Sequence, residues 1–318
     1  RFANANAADR DRALATEAAS RTVRLSLIAD LANAWAAYGA DRDLLAIAQE
    51  TATNARENVR LRKARLAGGV APGTDRRQAD QILATAEDAI AQQQTAIAQD
   101  ENLIRLLVGG DVDPALFPAS LAEVTPAVAA PPAGMRSEIL LRRPDVIQAE
   151  YLLRAANADI GVARARLFPT ISLTGLLGFA SDALSSLFDK GSFAWSAGGD
   201  ASASVFDFGG RRAGVAPGQA LASYEGAIQT AFREVADALA VQGTIAERVR
   251  AAAANTEAAA DTARLSDARY KGGVDSFLAS LDAQRSLYAA RRSEIATGLL
   301  LVQTRIALFR ALGGDSSA

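Results

Sequence analysis

The sequence predicts an α+β protein in which long α-helical hairpins carry a short pair of β-strands, and three observations support that prediction. The chain repeats itself at a fixed offset of 204 residues. Apolar residues recur every three or four positions through long tracts separated by glycine pairs. Two short stretches alternate between apolar and polar residues instead.

The repeat is clearest where "RLRKARLAGGV" (60–70) lies on "RLSDARYKGGV" (264–274), with seven of eleven positions identical. The same offset sets Ala32, Ala34 and Ala36 on Ala236, Ala238 and Ala240, and the "GGD" at 109–111 on that at 313–315. An offset that survives so far indicates duplication. Each copy reads as a helical hairpin bent at its Gly-Gly pair.

In the first copy, a helix is expected from about Ala8 to Leu66, roughly 85 Å at about 1.5 Å per residue. After the glycines, Leu83, Ile90, Ile97 and Ile104 recur every seven residues, the spacing of coiled-coil contact. The second copy carries Leu221, Tyr224, Ile228, Phe232, Val235 and Leu239, continues to about Tyr270, and resumes from Tyr288 to Phe309. Gly313 then supplies a helix stop. Helices alone fit a soluble rod or scaffold equally well.

Between the copies, residues 111–135 hold five of the nine prolines and read as an extended connection. "LLRRPDV" then restarts a helix, with Pro144 near its first turn, where a missing N–H does no harm. The pair Pro217-Gly218 sits where the second long helix should begin, and it should break or delay that helix.

"TISLTGLLG" (170–178) alternates, with Ile171, Leu173, Leu177 and Phe179 on one face and Thr170, Ser172, Thr174 and Gly178 on the other. From 195 to 205, Trp195, Ala197, Ala201, Ala203 and Val205 share a face opposite Ser196, Asp200, Ser202 and Ser204. Nine to eleven residues is the length of a tilted strand crossing a bilayer. The polar faces lack Lys, Arg and Glu, as a barrel lumen would. Phe168, Phe179, Phe188, Phe193, Trp195, Phe206 and Phe208 gather around these stretches, as interfacial girdles do. Two strands cannot close a barrel, so others must come from elsewhere. The expected segments are thus a first helical hairpin (1–110), a Pro-rich linker (111–135), a helix leading to the strands (136–168), a transmembrane β-hairpin (169–208) and a second helical hairpin (209–318).

Composition narrows the chemistry. The chain has 318 residues, with 34 basic and 36 acidic side chains, so no charge argument favours nucleic acid. Cysteine and histidine are absent, which removes thiolate and imidazole chemistry and most zinc sites. No nucleophile elbow or paired-carboxylate motif supports a hydrolase, and no cofactor is expected. No run of 18 apolar residues offers a membrane helix.

The residues "LLRRPDVIQAEYLLRAANADIGVARARLFPTISLTGLLG", "FAWSAGGDASASVFDFGGRR", "AIQTAFREVADAL" and "ARYKGGVDSFLASLDAQRSLYAA" resemble the outer-membrane factors of tripartite efflux systems. This is the TolC-like family, in the lipoprotein branch that serves drug-efflux pumps. The resemblance covers essentially the whole chain. It implies a homotrimer in outer-membrane lipid, each chain giving four strands to a shared twelve-stranded barrel and its long helices to a periplasmic tunnel. On that pattern the first strand pair, one helix, the signal peptide and any lipidated cysteine would fall before Arg1. The region from Arg212 to Tyr224 is shorter than the family pattern.

The resemblance further implies passive conduction of drugs and small molecules, driven by an inner-membrane pump and coupled through a periplasmic adaptor. The adaptor would meet the hairpin tips, here Arg65, Gly68, Gly69 and Val70 in one repeat and Arg269, Gly272, Gly273 and Val274 in the other. The glycines also serve simply as turn residues. Family members often carry D-x-x-L-D beyond the second tip. Ala279 takes the first of those places here and Asp282 keeps the second, so Asp282 is the expected pore gate, with Asp275 a further candidate nearer the turn. Phe168, Phe179, Phe193 and Trp195 are the expected girdle aromatics.

Overall fold

The computed structural model describes residues 2–69, 72–130, 136–165, 170–179, 193–202 and 218–314. Its helices are α1 (Phe2–Ala67), α2 (Gly73–Val108), α3 (Leu121–Ala127), α4 (Pro144–Ala165), α5 (Gly218–Lys271) and α6 (Phe277–Ala311), with strands β1 (Thr170–Phe179) and β2 (Phe193–Ser202). They fall into two compact units, Arg1–Ser20 with Pro144–Ile228, and Arg21–Arg143 with Gln229–Ala318.

In the first unit, α4 begins at Pro144, where the ring's fixed φ suits a first helical position. Gly161 on α4 lies beside the Asn4 side chain of α1. Arg12 pairs with Asp159 across the same contact. Helix α5 is described from Gly218, and the expected break at Pro217 lies outside the described residues.

Strands β1 and β2 pair antiparallel, with Thr170 opposite Ser202 and Phe179 opposite Phe193. This register keeps like with like. Leu173, Gly175 and Leu177 pair with Gly199, Ala197 and Trp195, which places Leu173, Leu177 and Trp195 on one side of the ribbon. Ser172 lies opposite Asp200, and Thr174 opposite Gly198, on the other. One residue breaks the expected alternation. Leu176 stands on the polar side opposite Ser196 and is 67 % exposed. The ribbon starts two residues before Trp195, while Ala203, Ser204 and Val205 lie outside the described residues.

The second unit holds both helical hairpins. Their tips are built alike. Gly69 has φ 70° and Gly273, 204 positions later, φ 73°. Gly68 N–H donates to Ala64 O at 3.0 Å, and Gly272 N–H to Ala268 O at 2.9 Å. The repeat recurs at the other helix ends, where Gly109 and Gly313 have φ 80° and 88°. Helix α1 is longer at its start than the periodicity suggests, because alanines there extend it at no propensity cost.

The seam between α1 and α2 contains Leu31, Ala34, Tyr38 and Leu45 against Ile97, Ile104 and Leu107, so the last two members of the seven-residue spacing, Ile97 and Ile104, mark a helix contact. The proline-rich connection is more than an extended link. It holds a 3-10 turn at Pro114–Leu116 and then α3, whose Leu121 and Val124 pack with Ala29, Ala36 and Ala40 of α1 and Val302 and Ile306 of α6. Pro126 is tolerated because α3 is only seven residues long and both its ends are held by other helices. Asp43 Oδ2 accepts from Leu121 N–H at 3.0 Å, and Arg305 Nη1 donates to Thr125 O and Val128 O, each at 3.0 Å. Gly39 makes room for this entry, since a Cβ would sit 3.1 Å from the Ser120 carbonyl.

Candidate functional site at the hairpin tips

Just behind the two glycine turns, Val59 of α1, Ala79 and Ile82 of α2, Tyr270 of α5 and Phe277 and Leu281 of α6 form one apolar cluster. Two arginines of α1 reach across it. Arg65 Nη1 donates to Tyr270 Oη at 2.7 Å, its guanidinium 6.0 Å from the ring centroid. The Arg62 guanidinium lies 4.4 Å from the Tyr270 centroid and 4.0 Å from that of Phe277. The first hairpin therefore meets the second at Tyr270 and Phe277, and Arg65 is bonded to the Tyr270 hydroxyl.

The turn of the second hairpin is braced within itself. Arg269 Nε and Nη2 donate to Asp275 Oδ2 and Oδ1 at 2.6 and 3.1 Å, closing the six-residue span around the glycines. Those bonds hold the Asp275 carboxyl below the usual carboxylate range. Ser276 then caps α6, its Oγ accepting from Ala279 N–H at 3.3 Å. Asp282 lies further along α6, with its side chain 62 % exposed and its nearest cation, Arg285, at 3.5 Å.

Below the tips, a cavity of about 570 Å³ opens between α1, α2, α5 and α6. Its charged walls are compensated in pairs. Arg291 donates to Glu50 at 2.8 Å from one hairpin to the other, and Lys271 meets Asp267 at 2.6 Å. Among the described residues no cluster of acidic side chains is arranged to hold a metal ion.

Residues 1–110 and 135–314 match the outer membrane efflux protein family. The chain belongs to that family. It is 37 % identical to the solvent efflux pump outer membrane protein SrpC of Pseudomonas putida over 309 residues, which are 96 % of this chain and 66 % of SrpC. It is 39 % identical to outer membrane protein OprJ of Pseudomonas aeruginosa, over 95 % of this chain and 64 % of OprJ. Among solved structures, the open state of the MtrE outer membrane channel of Neisseria gonorrhoeae superposes with a TM-score of 0.85 at 30 % identity, over 98 % of this chain and 72 % of MtrE. The chain thus spans just under two thirds of its curated relatives. As a member of an outer-membrane family, it is placed in the cell outer membrane, and its fold is similar to that of the MtrE channel.

Against that background, the expected tip residues Arg65, Gly68, Gly69, Arg269, Gly272, Gly273 and Val274 do come together at two exposed turns, with Val274 66 % exposed. Val70 and Phe168 lie outside the described residues. Only the second glycine of each pair needs its positive φ. Phe179 and Phe193 are register partners at one end of the ribbon, two positions from the Leu177 and Trp195 pair. Local sequence pattern does not mark Arg62, Tyr270 and Phe277 as contact residues. A charged side chain three positions beyond Val59, where the α1 pattern calls for an apolar one, was the available signal for Arg62.

Proposed function

We propose that this chain is one subunit of an outer-membrane efflux channel, the passive duct of a tripartite system whose inner-membrane pump drives export of drugs and small molecules through a periplasmic adaptor. No bond is made or broken and no cofactor takes part. The observation that carries this reading is the ribbon of β1 and β2. Its register gathers the apolar side chains on one face, and Leu173, Leu177 and Trp195 are 84 %, 79 % and 69 % exposed. In water such a face would be covered, whereas lipid solvates it directly.

Two strands leave unpaired edges, which a bilayer does not tolerate. A homotrimer completing a twelve-stranded barrel, as the family pattern implies, removes them. The lumen then takes Ser172, Thr174, Ser196 and Asp200, while Phe179, Phe193 and Trp195, together with Phe168, mark a membrane interface. The adaptor docks on the two tips, whose glycines expose backbone. Asp282 is the gate residue, because an exposed carboxylate repeated by three subunits becomes a ring of charge on the axis. Asp275, already bound by Arg269, acts as the brace of the turn and contributes less to that ring. A soluble periplasmic scaffold would account for the helices and leave the ribbon unexplained.

The test is the full-length protein in detergent and in membranes. It is expected to run as a trimer, to sediment with the outer membrane, and to conduct in planar bilayers; a water-soluble monomer would refute the duct. Asp282→Ala is expected to raise conductance and weaken cation selectivity, and unchanged values would remove Asp282 from the gate.

A further inference from the structure

Arg62 is 2 % exposed, and its Nε and Nη1 are shut from solvent without an acceptor among the described residues. Arg143, buried nearly as deeply, shows what a satisfied guanidinium looks like. It donates to the Ala311 carbonyl and to Glu234. Arg62 has instead the faces of Tyr270 and Phe277. Aromatic faces attract a cation but do not accept its in-plane N–H groups, and the desolvation of a whole charge outweighs that attraction. Burial accordingly pulls the Arg62 pKa down, the neighbouring Arg65 charge adds to the effect, and Asp75 and Asp267 oppose it from a distance. The two rings belong to the last turn of α5 and the first of α6, so the guanidinium is dry only while the second hairpin lies against the first. Any separation of the tips returns it to water.

We propose that Arg62 is a positioning residue that primes the tips to part, its buried and half-paired charge raising the free energy of the closed pair of hairpins. The energetic claim stands on the contact alone; its consequence for opening rests on the duct reading above and on parting of the tips being the step that opens the duct. Arg65 and Tyr270 hold the tips together through a good hydrogen bond while Arg62 pushes against that hold. This arrangement leaves the closed state only marginally favoured.

The test compares Arg62→Met, which keeps the length and removes the charge, with Arg62→Lys, which keeps a charge that is more strongly hydrated. The full-length trimer is followed by hydrogen exchange over residues 59–66 and 270–281 and by single-channel recording. Arg62→Met is expected to slow exchange at both tips about tenfold or more and to lower open probability, and Arg62→Lys to do the reverse. Faster exchange in Arg62→Met would overturn the proposal, because the cation would then be clasping the rings. Slower exchange with unchanged opening would overturn the gating role. A trimer that conducts nothing in either variant or in the unsubstituted chain would count against the duct itself, and the exchange order would still decide the energetic claim.

Discussion

Arg143 Nη2 donates to Glu234 Oε2 at 2.7 Å, and its Nη1 donates to the carbonyl of Ala311 at 2.8 Å. One side chain from the "RRPD" stretch thereby joins the body of α5 to the last turn of α6. With the Arg143 side chain 7 % exposed, the pair is buried on the cation's side. Glu234→Ala removes one acceptor of this buried guanidinium and is expected to cost about 1 to 3 kcal/mol in denaturant unfolding. Arg143→Lys cannot reproduce the fork that reaches both acceptors and is expected to recover little of the native stability.

The glycines of each tip are not equivalent, and alanine distinguishes them. At Gly273 a Cβ meets nothing within 4 Å, so the only penalty is its φ of 73°. Gly273→Ala should lose about 1 to 2 kcal/mol for left-handed backbone, while Gly273→Asn should lose less. At Gly272 a Cβ would stand 3.5 Å from Ala268 O, an ordinary contact with no left-handed strain. Gly272→Ala should stay within about 0.5 kcal/mol of the parent in thermal melts.

How far the sequence speaks depends on the distance over which a feature is encoded. The hairpins, the glycine turns and the two strands are written in local periodicity and in the offset repeat, and the geometry of Gly69 and Gly273 follows from them. The ribbon's register was legible too, since pairing like faces leaves few alternatives. Leu176 was not, because a single apolar residue on a wet face carries no local penalty. Contacts that join distant segments were silent. Asp43 caps a helix that begins 78 residues later, and Arg62 meets rings more than 200 residues away. The asymmetry between Asp275 and Asp282 was also hidden, for it depends on which carboxylate a nearby arginine can reach.

Helix α3 offers a test of those distant caps. Its own N-cap residue, Ser120, makes no side-chain cap, and Asp43 of α1 supplies the acceptor instead. Arg305 places a cation at the opposite end, where the helix dipole favours it. Asp43→Ala should cost about 1 kcal/mol, and hydrogen exchange at 121–127 should quicken before any other segment of its unit. Asp43→Asn, which keeps an acceptor oxygen, should restore most of the protection. Equal protection in the Ala and Asn variants would mean that packing of Leu121 and Val124 alone holds the helix.

The first hairpin should respond to pH through Asp41 and Asp100. Asp41 lies three residues beyond Tyr38 and four before Leu45, Asp100 bears the same relation to Ile97 and Ile104, and the two half-buried carboxyls meet each other beside that seam. Asp100 Oδ2 is shut from solvent with no donor among the described residues, so the contact needs a proton. Burial first, then the charge of Asp41 and the hydrogen bond to it, push Asp100 up to about 6. A carboxyl raised in the folded state above its unfolded value of about 4 stabilises fully below that lower value and loses the contribution as pH climbs through the upper one. The α1–α2 seam is therefore expected to be about 1 to 2 kcal/mol more stable at pH 5 than at pH 7, read as exchange protection over 38–45 and 97–104. Asp100→Asn donates to Asp41 without needing a proton, so it should flatten that profile and raise protection at pH 7. A flat profile in the unsubstituted chain, or a slope that survives Asp100→Asn, would show that the two carboxyls do not share a proton.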